Sequence, residues 1–207
     1  MVSKANKEAY LWVMRWPNWP SRCLAIYGDN GCGKTHLSYI WQKKTKANRL
    51  QGVDFNKAPL STLLDASPFF ILDEAHLINQ GEKLFHLYNH LTLSKGGILF
   101  LSKTPPAHWV AGLPDLRSRL NTIPAIKIHP PDDALLSDVI QKLFSDLQVK
   151  VDESVINFLL IHMERSFDSA RLWVNLLNTR ALTQKRNITI PLAREILSEQ
   201  ASDEKHL

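Results

Sequence analysis

One stretch constrains this chain more than any other: Gly28-Asp29-Asn30-Gly31-Cys32-Gly33-Lys34-Thr35, a full match to the pattern G-x-x-x-x-G-K-[ST]. The apolar run Leu24 to Tyr27 before it reads as a buried strand, and Thr35 to Lys44 after it has helical spacing. Strand, glycine-rich loop and helix in that order open a βαβ unit. The glycines let the backbone turn its N–H groups inward, and the helix that follows presents the positive end of its dipole to the same point. Such a loop cradles phosphate. Lys34 adds a mobile cation for the outer phosphates, and the Thr35 hydroxyl is a ligand for Mg2+.

A second element follows from the rules of parallel sheets, whose strands present ligand-facing residues at their carboxyl ends. The run Phe69-Phe70-Ile71-Leu72 ends in Asp73 and Glu74. In that position Asp73 is expected to hold the metal and Glu74 to polarise an attacking water in phosphoryl transfer. Acidic residues after a strand also serve as helix N-caps, and the pair gains its meaning from the loop upstream.

The rest of the chain sorts into two parts. Glu8 to Arg15 reads as a helix stopped by Pro17-Asn18-Trp19-Pro20, and Glu82 to Thr92 as a helix with Leu84, Leu87, Tyr88 and Leu91 on one face. Ile98 to Leu101 and Ile126 to Ile128 read as further strands, with a polar connection between Lys44 and Phe69 and a segment Leu116 to Leu120 after a proline-containing loop. Beyond Pro131 strand-like runs vanish, and Ala134–Leu147, Glu153–Met163, Ser169–Thr183 and Leu192–Glu199 read as amphipathic helices, with Asp152 as an N-cap and Pro191 in a first turn. The expected architecture is an α/β base with a parallel sheet over residues 1–130, carrying the phosphate loop, followed by a small all-helical unit over residues 131–207.

Composition closes off other classes. With 44% apolar and 22% charged residues among 207, the chain can bury a sizeable core and is not a disordered type. The net charge of +5 is scattered, which permits an acidic partner without requiring one. Cys23 and Cys32 provide neither a disulfide framework nor a cysteine-based zinc site, which fits a reducing, cytoplasmic compartment. Lys4, Lys7, Glu8 and Arg15 interrupt the N-terminal stretch, and no uncharged apolar run approaches the ~20 residues that span a bilayer, so neither a secretory signal nor a membrane anchor is expected. Glu82, His86 and His90 share a helix face, but Leu87 stands where a zinc protease motif needs Glu. The six tryptophans read as core packing in preference to a stacking platform for single-stranded nucleic acid, since Trp12, Trp41 and Trp173 lie on apolar faces and Trp16 and Trp19 beside prolines.

Taken together, the loop followed by His36-Leu37, the strand ending in Asp73-Glu74, the box Gly112-Leu113-Pro114-Asp115-Leu116-Arg117-Ser118-Arg119-Leu120 and the tail Thr189 to Leu197 resemble the DnaA/Hda family of AAA+ proteins over nearly the whole chain. The resemblance is closest in architecture to the Hda-like regulatory paralogues that inactivate DnaA. It implies an AAA+ base and helical lid that hold ATP or ADP with Mg2+. Gly28, Asn30, Gly31, Cys32, Gly33, Lys34, Thr35 and His36 would contact the nucleotide, Thr35 and Asp73 the metal. Arg119, with Arg117 a second candidate, would reach a neighbouring subunit's nucleotide to stabilise charge on the transferring phosphoryl group, beside Glu74 as the other catalytic residue.

The resemblance also implies partners: a DnaA-type initiator, the sliding clamp, and further copies of the chain. The short Gln- and Leu-containing clamp-docking peptide typical of Hda-like chains is not visible in Met1–Lys7. Only some ten residues follow Leu197, so no sequence-specific DNA-binding domain of helix-turn-helix type is expected. Two positions depart from the DnaA pattern. Ser102-Lys103 stands where DnaA has an acidic sensor, and the lid's sensor arginine aligns with Asp168, leaving Arg171 about one turn later as a substitute cofactor contact. Those departures keep a second reading open, a nucleotide-gated adaptor or loader without useful hydrolysis. Cis hydrolysis is correspondingly expected to be weak at most. A small-molecule kinase would have no use for the arginine box or the helical tail.

Overall fold

The computed structural model of the chain describes residues 5–109 and 112–203. Two compact units make it up, residues 1–129 and 130–207. In the first, the chain runs α1 (Lys7–Met14), β1 (Cys23–Tyr27), α2 (Lys34–Thr45), β2 (Asn48–Gln51), α3 (Gly52–Lys57), α4 (Leu60–Ala66), β3 (Phe69–Asp73), α5 (Gly81–Leu93), β4 (Gly97–Ser102), α6 (Pro114–Thr122) and β5 (Ala125–Lys127). The strands form one five-stranded sheet, all parallel, in the order β2-β3-β4-β1-β5.

Both faces of this sheet are covered, which is why its inner strands are apolar without alternation. In β4, Ile98 and Phe100 face one side with Phe70 and Leu72 of β3, packing against Phe55, Leu63, Leu84, Leu87 and Leu116 from α3 to α6. Leu99 and Leu101 face the other side with Leu24, Ile26 and Ile71, against Val13 of α1 and Leu37 and Trp41 of α2. Each fully buried side chain of this kind contributes about 1.5–3 kcal/mol relative to exposure. The tryptophans are largely part of this second layer. Trp41 is wholly buried, with Trp16 edge-on and Trp19 stacked at 5.3 Å each and Phe69 edge-on at 6.2 Å.

The connection between Lys44 and Phe69 is where sequence pattern and structure differ. It holds β2, α3 and α4. Asn48-Arg49-Leu50-Gln51 is an edge strand, paired only with β3, and its half-exposed side chains need no apolar run.

The second unit is helical throughout: α7 (Asp133–Asp146), α8 (Glu153–His162), α9 (Phe167–Gln184) and α10 (Ile190–Asp203). Asp132, Asp152 and Ser166 cap three of these helices, each side-chain oxygen accepting a first-turn N–H. Leu136, Ile140, Phe144, Leu159, Trp173 and Leu192 centre its core. Among the described residues, no helix is long and apolar enough to cross a membrane.

Candidate functional site

The loop between β1 and α2 takes its shape from backbone angles that favour glycine. Gly28, Gly31 and Gly33 have φ of 154°, 67° and 103°. Gly28 is also where the backbones crowd closest, because a Cβ there would lie 2.4 Å from the Ile128 carbonyl oxygen and 3.1 Å from Cys32 Sγ. Its N–H donates to Ser102 O at 3.1 Å, tying the loop to the end of β4.

Gly33 precedes α2 without any side-chain cap, so the first-turn N–H groups of a 12-residue helix face outward at the loop. Lys34 curls over it, Nζ donating to Gly28 O and Asp29 O, both at 2.7 Å. Asn30, Thr35 and His36 are exposed, and Cys32 is buried beneath them. Burial pushes the Cys32 thiol up, against the opposing pull of Lys34. An anion-accepting cradle with one mobile cation results.

Asp73 and Glu74 end β3 on the same edge of the sheet. Asp73 Oδ1 accepts the Glu74 N–H at 3.0 Å, while Oδ2 is held by Arg49 Nη1 at 2.8 Å. Arg49 also donates from Nη2 to Ser38 Oγ, and that hydroxyl donates to Thr35 O at 2.8 Å. The acidic residue is thus linked through Arg49 to the helix that carries Thr35. Glu74 is exposed with φ of 50°, a left-handed conformation for a residue with a Cβ. Gln51 and Arg49 pair in register with Asp73 and Ile71, and the two-residue period of a strand puts Arg49 and Asp73 on one face.

Beside them lies a polar knot that no motif announces. Ser102, 1% exposed, has its Oγ 3.3 Å from His76 Nδ1 and accepts from Trp109 Nε1 at 3.1 Å. Burial lowers the His76 pKa, reinforced by Lys103 and Lys34 and opposed by Glu74. Lys103 itself is exposed.

Arg119 sits apart from the loop cluster in its contacts. It projects from α6 with its guanidinium 5.2 Å from the Phe85 ring and 5.5 Å from the Tyr88 ring of α5, and remains exposed, as does Arg117. In the helical unit, Arg171 and Asp168 face solvent at the start of α9 and pair at 3.6 Å. Among the described residues, no group of three or more His, Cys, Asp and Glu is placed to hold a metal ion, Glu82, His86 and His90 included. Thr35 and Asp73 offer a hydroxyl and a carboxylate, the hard oxygen donors that suit Mg2+.

A parallel sheet in this order, a glycine loop after β1, and a helical unit following it in the chain define the AAA+ class. Comparison with known proteins narrows the assignment. Residues 136–197 match the family described as Hda, lid domain. An uncharacterized protein of Haemophilus influenzae is 27% identical over 186 residues, covering 84% of this chain and 80% of that one. The chromosomal replication initiator protein DnaA of Helicobacter acinonychis is 27% identical over 208 residues, covering 89% of this chain and 46% of that one. The chain thus spans about half the length of the DnaA initiators it matches. Among solved structures, domain III of Thermotoga maritima DnaA superposes with a TM-score of 0.79 at 21% identity, covering 96% of this chain and 93% of that one. AMPPCP-bound DnaA from Aquifex aeolicus gives 0.73 at 20% identity, covering 87% and 63%. The chain is thus similar to DnaA initiators over most of its length and to the Hda lid over residues 136–197, which supports a DnaA/Hda-type AAA+ protein.

Proposed function

We propose that this chain is an Hda-like regulator of replication initiation: it binds ATP or ADP with Mg2+ and promotes hydrolysis of ATP held by a DnaA-type initiator in the cytoplasm. The observation that carries the reading is the match of residues 136–197 to the Hda lid, in a chain whose earlier glycine loop puts three positive-φ glycines before an uncapped helix start. In this reading the backbone N–H groups from Gly28 to Gly33 and the uncapped start of α2 hold the phosphates, and Asn30, Cys32 and His36 border them. Lys34 exchanges its two carbonyl contacts for phosphate oxygens. Thr35 and Asp73 hold the metal, which when bound neutralises charge on the outer phosphates. Glu74, exposed at the tip of β3, orients water, and Arg171 takes the role of the lid cation in place of Asp168.

Arg119 acts in trans. Its guanidinium is exposed yet ordered by two aromatic faces, so little side-chain freedom is lost when it enters a neighbour's site. The neighbour is a DnaA-type initiator, with further copies of this chain and the sliding clamp as additional partners. Residues 1–4 of the stretch Met1–Lys7, in which no clamp-docking peptide is visible, lie outside the described residues.

A second reading is favoured by the Asp168–Arg171 pair, in which Arg171 is already engaged by the carboxylate standing at the sensor position. There the chain is a nucleotide-gated adaptor and hydrolysis is incidental. Equilibrium binding of fluorescent ATP and ADP tests the shared foundation: Lys34→Ala must weaken binding at least about tenfold, equivalent to losing ~1.4 kcal/mol. Unchanged binding in that variant would remove both readings. Arg119→Ala then separates them, since it abolishes stimulation of the initiator's hydrolysis in the first reading and spares an adaptor.

A further inference from the structure

The Asp73 carboxylate has both oxygens engaged before any metal arrives. Oδ1 takes the Glu74 N–H at 3.0 Å, and Oδ2 is paired with Arg49 Nη1 at 2.8 Å, with the two side chains only 19% and 13% exposed. Arg49 comes from β2, the edge strand paired with β3, and its guanidinium lies on the same face of the sheet as the carboxylate it meets 24 positions later in the chain. Its other terminal nitrogen donates to Ser38 Oγ, which is anchored to Thr35 O. The cation therefore joins the two residues, Thr35 and Asp73, that would share Mg2+.

We propose that Arg49 is a resident counter-ion that occupies the metal position of Asp73 in the nucleotide-free protein and must leave when Mg2+ enters, so that it sets the metal requirement for nucleotide binding. The inference rests on reading Asp73 as the metal-side carboxylate. Two observations favour exchange over a fixed brace. Arg49 Nε is buried and has no hydrogen-bond partner among the described residues, so the parked position leaves that donor unsatisfied there. The exposed Tyr39 ring, 4.8 Å from the Arg49 Cζ, offers the guanidinium a face on which to remain once Asp73 is released. A monovalent guanidinium beside the carboxylate also cancels the negative potential that would draw a divalent ion, and binding of the two cations to Oδ2 is mutually exclusive by charge and space.

The test uses the full chain and a fluorescent ADP analogue, titrating Mg2+ at fixed nucleotide and repeating the nucleotide titration in chelator. Arg49→Met, which keeps the aliphatic stem over Tyr39, is expected to lower the half-saturating Mg2+ concentration roughly fivefold or more, in the range usual for coupled sites, while binding in chelator moves less than about twofold. Arg49→Gln should behave likewise, providing a second variant if the first fails to fold, and Arg49→Lys should stay near wild type because it keeps the charge. Asp73→Asn should raise the half-saturating Mg2+ and erase the effect of Arg49→Met in the double variant. If Asp73→Asn leaves the Mg2+ dependence untouched, the reading of Asp73 falls and this inference with it. If Asp73→Asn acts but Arg49→Met and Arg49→Gln leave the Mg2+ dependence unchanged or raise it, Arg49 is a structural brace and the inference alone is overturned.

Discussion

Gly28→Ala puts the geometry of the phosphate loop under a direct load. The added Cβ would stand 2.4 Å from the Ile128 carbonyl oxygen, a contact with backbone that no rotamer change relieves, and 3.1 Å from the buried Cys32 Sγ. The loop cannot slide away easily. Gly28 N–H is bonded to Ser102 O, and Ile128 N–H to Tyr27 O at 2.8 Å, so the two backbones that collide are stitched into neighbouring strands. The φ of 154° adds conformational strain for any L side chain. Strain of about 1–3 kcal/mol and overpacking of about 1–3 kcal/mol combine to an expected loss of about 2–6 kcal/mol. For a chain of 207 residues this corresponds to a drop in melting temperature of roughly 4–24 °C, at ~2–4 °C per kcal/mol.

Thermal unfolding followed by tryptophan fluorescence reports mainly on the base, because Trp173 is the sole tryptophan beyond residue 129. Gly112→Ala is the control, since a Cβ there meets nothing within 4 Å among the described residues, and it should melt within about 1–2 °C of wild type. A Gly28→Ala protein that melts with the control would refute the claim that close backbone approach fixes this loop.

Other consequences follow from the packing and charges around the site. Trp41→Ala empties the centre of the aromatic cluster under α1 and should cost about 3–5 kcal/mol in urea unfolding. Lys83 Nζ donates to the carbonyls of Phe55, Asn56 and Ala58 at 3.2, 2.8 and 2.9 Å, so Lys83→Met strands the end of α3 and should cost about 2 kcal/mol by the same assay. His76 has a folded pKa below its ordinary 6.5, and the sign follows from which state binds the proton first. Above 6.5 the ring is neutral folded and unfolded and its contribution is complete. Below it the unfolded chain protonates first, and stability falls until the folded ring protonates as well. Urea midpoints measured at about pH 7.5 and about pH 5.5 should therefore converge in His76→Gln relative to wild type.

How much of this was legible in the chain varies with the range of the interaction. The loop and its flanking strand and helix are local, and a fixed spacing of glycines, lysine and threonine announces them. The strands at Phe69 and Ile98 declare themselves because burial on both faces forces a run of apolar residues. Asn48 to Gln51 lacks that signature since an edge strand borrows its pairing from β3 alone. Arg49 is silent in the sequence for the same reason: only the register that sets Gln51 opposite Asp73 brings its guanidinium onto that carboxylate. The Ser102, His76 and Trp109 knot likewise joins segments from the ends of different elements, and the aromatic shelf under Arg119 depends on how α5 packs beside α6. Sequence supplies the arginine box by resemblance, whereas Phe85 and Tyr88 read only as members of an apolar helix face.

The claim that matters most is that Arg119 works on another molecule's nucleotide. Phosphate release from purified ATP-loaded DnaA, with and without this protein and the sliding clamp and beside this protein alone, measures it directly. The account predicts stimulation that Arg119→Ala reduces by three or more orders of magnitude in the limit set by arginine fingers, ~10³ to 10⁵ in rate, with the fold of the variant unchanged. Stimulation that survives Arg119→Ala would contradict the account.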